Sequence, residues 1–87
     1  MITTVVLTAQ ARKDLRNLPA QIVRKFAAWV RFVEQEGLEE ARKIPGFHDE
    51  ALKGERKGQR SIRLSQAYRA IYVVVKGEVH FAESSGK

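Results

Sequence analysis

The stretch Leu52-Lys53-Gly54-Glu55-Arg56-Lys57-Gly58-Gln59-Arg60-Ser61-Ile62-Arg63-Leu64 divides the chain into two kinds of pattern. Its end alternates, with Ile62 and Leu64 on one side and Arg63 on the other, the two-residue period of a half-buried strand. Most of what precedes it has helical spacing. Ile22, Phe26, Trp29, Val30 and Val33 stand at i, i+4, i+7, i+8 and i+11, a continuous apolar stripe along one helix. The switch of period near residue 60 predicts helices first and a sheet afterwards.

Working outward, Thr3 to Leu7 are β-branched and apolar and read as a short strand. Thr8 is a plausible N-cap for a helix with Ala11, Leu15 and Leu18 on its apolar side. Pro19 ends that helix and suits the first turn of the next, which closes at Gly37. Leu38 to Ile44 reads as one more short helical piece before the Pro45-Gly46 turn. Downstream, strands are expected at Ser61–Ser65, Tyr68–Val75 and Val79–Glu83, the last two joined by a hairpin at Lys76-Gly77-Glu78. Tyr68–Val75 is apolar on both faces towards its end, as a central strand is. The order β-α-α-β-β-β predicts an α+β fold: a helical hairpin on one face of a small, mostly antiparallel sheet. Residues 1–83 form one domain in this reading, and Ser84-Ser85-Gly86-Lys87 a flexible tail. The Trp29 stripe could serve a partner, but so short a chain has few other large side chains from which to build a core, so the stripe is assigned to the core.

The composition narrows the class. Eighty-seven residues suit a single domain, and 44% of them are hydrophobic, enough for one modest core. Absence of cysteine excludes a disulfide scaffold and a cysteine zinc site. No basic n-region opens the chain and no apolar run approaches the length of a bilayer span, so a soluble, cytoplasmic protein without a membrane role is expected. The net charge of +6 is concentrated. Lys53 to Arg69 holds six basic residues and one acid, a net +5, and the rest of the chain ten basic and nine acidic residues, a net +1. Localised positive charge marks a surface for polyanions, against the plainer reading of a solubilising loop.

Within that segment, Arg63 and Arg69 should project from neighbouring strands and form a fork for phosphate. The loop Lys53–Gly58 adds charge and two glycines, without the spacing of a Walker loop. No metal-ligand spacing occurs: His48 and His80 are 32 residues apart, so neither a metal nor another cofactor is expected. His48-Asp49-Glu50 is either an acid–base group or an exposed turn. His80, with Val79 and Phe81 pointing the other way, lies on Arg69's surface or faces solvent. Tyr68 and Tyr72 share a face and are read as core or core rim rather than base-stacking platforms.

Lys53-Gly54-Glu55-Arg56-Lys57-Gly58, then Ser61-Ile62-Arg63-Leu64 and Tyr68-Arg69-Ala70-Ile71-Tyr72, resembles the centre of the RelE/ParE superfamily of bacterial toxins, nearest its HigB-like and RelE/StbE-like branches. The resemblance spans nearly the whole chain. It implies a toxin of a type II toxin–antitoxin system, partnered by an antitoxin, that enters the ribosome and cleaves mRNA without a metal by attack of a 2′-hydroxyl on the adjacent phosphate. By match to the motif, Lys53 is the implied base or phosphate stabiliser and Arg69 the phosphate clamp. His48 is the implied acid–base histidine, two residues upstream of the family's position. Arg56, Lys57, Arg60 and Arg63 would hold RNA backbone. Such toxins usually end on a strand bearing a tyrosine or histidine, where this chain has Glu83-Ser84-Ser85-Gly86-Lys87. That departure implies weak or no cleavage, and it keeps open the alternative of a ParE-like gyrase inhibitor that acts by binding alone.

Overall fold

The computed structural model describes the backbone of residues 1–86 and the side chains of residues 1–82. Strand β1 (Val5–Leu7) leads into helix α1 (Ala9–Arg16), α2 (Ala20–Glu36) and α3 (Leu38–Arg42). A 3-10 turn at Pro45–Phe47, strand β2 (Glu50–Ala51) and a second 3-10 turn at Gly54–Arg56 follow. Strands β3 (Gln59–Arg63), β4 (Tyr68–Val75) and β5 (Glu78–Gly86) complete the chain. The sheet order is β1-β5-β4-β3-β2, antiparallel except where β1 runs parallel to β5. This is the expected α+β arrangement, with β4 central.

Local chemistry explains the boundaries. Thr8 caps α1, its hydroxyl oxygen accepting from the Ala11 N–H at 3.0 Å. Pro19 stands at the cap of α2, with extended backbone (φ −56°, ψ 146°), one residue before the helical turn in which the sequence reading places it. Gly37 ends α2 at φ +92°, where a side chain would be strained and would also collide with Met1. The stripe is core: Ile22, Phe26, Trp29 and Val33 are buried against Ile62, Tyr72, Val79 and Phe81 of the sheet. Trp29, Tyr72 and Phe81 meet with ring centroids 5.3–5.5 Å apart.

Three features depart from expectation. β2 was not foreseen, because two residues carry no period. β3 lies two residues earlier than expected, since Leu64 and Ser65 close a turn in which both N–H groups donate to the Tyr68 carbonyl. β5 runs past Glu83: Ser84, Ser85 and Gly86 pair with Ala70, Arg69 and Tyr68, so three of the four residues expected as a tail are in the sheet. Lys87 lies outside the described residues. No helix among them is long and apolar enough to cross a membrane.

Candidate nucleic-acid interface

The alternation of β3 and β4 sorts their side chains onto two faces. One face carries Arg60, Ile62, Ala70 and Tyr72 towards the helices. The other carries Gln59, Ser61, Arg63, Arg69, Ile71 and Val73 and has no helix over it. Arg63 and Arg69 are direct cross-strand partners, as the sequence predicts. Glu50 of β2 pairs with Ser61, which pairs with Ile71, so Glu50 belongs to the same open face. Arg69 reaches diagonally across β3 to it: Arg69 Nη1 lies 3.1 Å from Glu50 Oε1 and 3.5 Å from Ser61 Oγ. Arg63 has no ion-pair partner among the described residues. The face thus presents a carboxylate, a guanidinium bound to it, and a second guanidinium held close by strand register.

The other expected site residues lie elsewhere. Lys53 precedes the 3-10 turn at the Gln59 end of β3, since the Leu52 N–H bonds the Gln59 carbonyl. Arg69 sits at the Arg63 end, four residues or ~13 Å along the strand. Arg56 and Lys57 are exposed in the same loop, with Arg56 donating to Gln59 Oε1 at 3.2 Å. His48 is exposed at a left-handed corner (φ 44°, ψ 52°) two residues before Glu50. His80 is on the open face but opposite Val73, well away from Arg69, and pairs with Glu78 at 3.1 Å. Tyr68 and Tyr72 face the helices and so present no base platform.

Arg60 turns inward. Its Nε donates to Asp49 Oδ1 at 2.6 Å, and the Tyr72 hydroxyl donates to the other carboxylate oxygen at 2.5 Å. Burial opposes the Arg60 charge, but the hydrogen bond and charge of Asp49 outweigh it and hold the guanidinium's pKa above its ordinary value. Burial, then the bond to Asp49, pushes the Tyr72 phenol up to about 12. The same alternation that sets Arg63 apart from Ile62 puts Arg60 on the Ile62 side, so its inward position was readable in the sequence. The burial of Asp49 and the pairing of Glu50 with Arg69 were not, because both depend on β2. A surface hollow of about 370 Å³ beside Gly37, Glu39 and Glu40 is acidic and remote from this face. No group of metal-ligating side chains occurs among the described residues.

No family model and no curated protein matches the sequence. Solved structures do. A YoeB/ParE toxin from Agrobacterium tumefaciens superposes with a TM-score of 0.74 at 20% identity, over 97% of this chain and 98% of that one. The toxin–antitoxin complex RelBE2 from Mycobacterium tuberculosis contains a chain matching at 28% identity and TM-score 0.63, covering 97% and 96%. The YoeB–YefM complex from Staphylococcus aureus matches at 21% identity and TM-score 0.74, covering 97% and 95%. In its sheet order, helical hairpin and arginine-bearing strands, the chain has the fold of the RelE/ParE superfamily of toxins.

Proposed function

We propose that the protein is the toxin of a toxin–antitoxin pair and cleaves mRNA on the ribosome, with Glu50, Arg69 and Arg63 forming the reaction centre. The observation that carries this reading is the Glu50–Arg69 pair beside Arg63 on the open sheet face. Glu50 takes the proton of an RNA 2′-hydroxyl, whose oxygen bonds to the adjacent phosphorus. The bond from phosphorus to the 5′-oxygen breaks, and that oxygen takes a proton from water, leaving a 2′,3′-cyclic phosphate and a free 5′-hydroxyl. Arg69 and Arg63 neutralise the phosphate oxygens as they gain charge, a task for which planar guanidinium forks are suited. The scheme requires no metal. Lys53, Arg56 and Lys57 hold flanking backbone from the loop, and His48, at the corner before β2, is placed for the same role. The basic surface also suits an acidic antitoxin segment, a partner supported by the complexes in which two of the structural neighbours were solved.

Programmed ribosomes incubated with the protein, read by primer extension, test the reading. The parent should leave defined stops. Glu50→Gln should lose about 10²–10⁴-fold in single-turnover rate. Uncut mRNA together with a DNA-damage response on expression would overturn it in favour of gyrase inhibition.

A further inference from the structure

β2 is two residues long, a pairing that is marginal alone, yet it carries Glu50. The chain enters it through the left-handed corner at His48, and the next residue, Asp49, points towards the helices. The Asp49 side chain is fully buried. One carboxylate oxygen accepts from Arg60 on β3 and the other from Tyr72 on β4. A short strand is therefore tied through a single carboxylate to β3 and β4. Side chains alternate along a strand, so an inward Asp49 compels an outward Glu50. A slip of one residue would exchange them, placing Glu50 against the core and Asp49 in solvent.

We infer that Asp49 is a positioning residue: its buried bonds to Arg60 and Tyr72 hold β2 in the register that sets Glu50 against Arg69. The inference rests on the reading of Glu50 and Arg69 as the cleavage pair. It differs from a general stabilising role. Replacing an ion pair of this kind by apolar groups often changes net stability little, and its better-attested use is to fix one arrangement among several. The network therefore acts on β2 locally, and its loss should loosen β2 while leaving the β4–β5 half of the sheet in place.

Amide hydrogen exchange on the full chain separates the two. The Leu52 N–H, bonded to the Gln59 carbonyl, reports on β2. The Val79 N–H, bonded to the Thr4 carbonyl, reports on the far side of the sheet. Asp49→Asn should speed exchange at Leu52 by about tenfold or more and leave Val79 unchanged. Tyr72→Phe, which removes a single donor, should act in the same direction with a smaller factor, and it decides the matter if Asp49→Asn does not fold. Cleavage by Asp49→Asn should fall while affinity for programmed ribosomes holds. In a Glu50→Gln background the same substitution should cost almost nothing further, because it acts through Glu50. Unchanged exchange at Leu52, or equal acceleration at Leu52 and Val79, overturns the inference. A parent protein that cuts no mRNA sinks the proposed function instead and leaves the exchange comparison to judge Asp49.

Discussion

Replacing Arg69 by alanine should separate function from fold. The Arg69–Glu50 pair is open to water, with side-chain exposures of 41% and 59%. Exposed ion pairs contribute ~0.2–1 kcal/mol, so Arg69→Ala should lower stability by no more than about 1 kcal/mol. For a domain of this size that is a fall in Tm of roughly 4–8 °C at most. In cleavage the same guanidinium faces a phosphate whose charge grows in the transition state. Removing one preorganised donor of this kind costs about 10²–10³ in rate, or ~2.7–4 kcal/mol. The catalytic loss should therefore exceed the stability loss several-fold in free energy. Arg69→Lys keeps the charge without the fork and should fall between parent and alanine variant. Thermal melts and single-turnover primer extension on the same preparations measure both quantities. An alanine variant that cuts at the parent rate shows that Arg69 is no clamp. One that unfolds shows that the pair is structural and that its exposure has been misjudged.

Trp29 is fully buried among Tyr72 and Phe81, and Trp29→Ala should cost about 3–5 kcal/mol in chemical denaturation. Its Nε1–H has no partner among the described residues, so Trp29→Phe discards an unsatisfied donor and should cost far less; equal losses would show that the donor is in fact satisfied. The Tyr72 phenol, raised to about 12 from 10, stays protonated longer in the folded state. Its contribution is therefore complete below pH 10 and lost as pH rises towards 12, and Tyr72→Phe should flatten that part of the stability–pH curve, with parallel curves refuting the assignment.

The helical hairpin and the two long strands were legible because each spans enough residues for its period to show. Ile22 to Val33 covers three helical turns, and Tyr68 to Val75 is β4 to the residue. The cross-strand meeting of Arg63 and Arg69 followed from the short turn between their strands. β2 was illegible for the opposite reason. Two residues show no alternation, and Glu50-Ala51 has no β-branched or aromatic side chain to suggest a strand. The site depends on that element, so the carboxylate that meets Arg69 had no signature in the sequence beyond standing next to Asp49. The end of β5 was hidden by composition: serine and glycine are poor strand formers, and the backbone there pairs because β4 offers an open edge to residue 68.

Two of the positive charges crowded between Lys53 and Arg69 are met by carboxylates just upstream. Asp49 binds Arg60 on the helix side of the sheet, where the Arg60 side chain stays 27% exposed, and Glu50 binds Arg69 on the open face. From residue 48 to 69 the balance becomes six bases against Asp49, Glu50 and Glu55, a net +3 rather than +5. A single dipeptide, its two side chains on opposite faces of a strand, thus removes one arginine from the polyanion surface and arms another. Without Asp49, Arg60 would add to the charge available for binding. Because it is withdrawn, the remaining charge divides into an unspecific part in the loop, Lys53, Arg56 and Lys57, and a specific part on the open face, where Arg63 stands beside a guanidinium already set against a carboxylate. Neutralising the loop should weaken association with RNA in a salt-dependent way, whereas altering Glu50 should spare association and remove most of the chemistry.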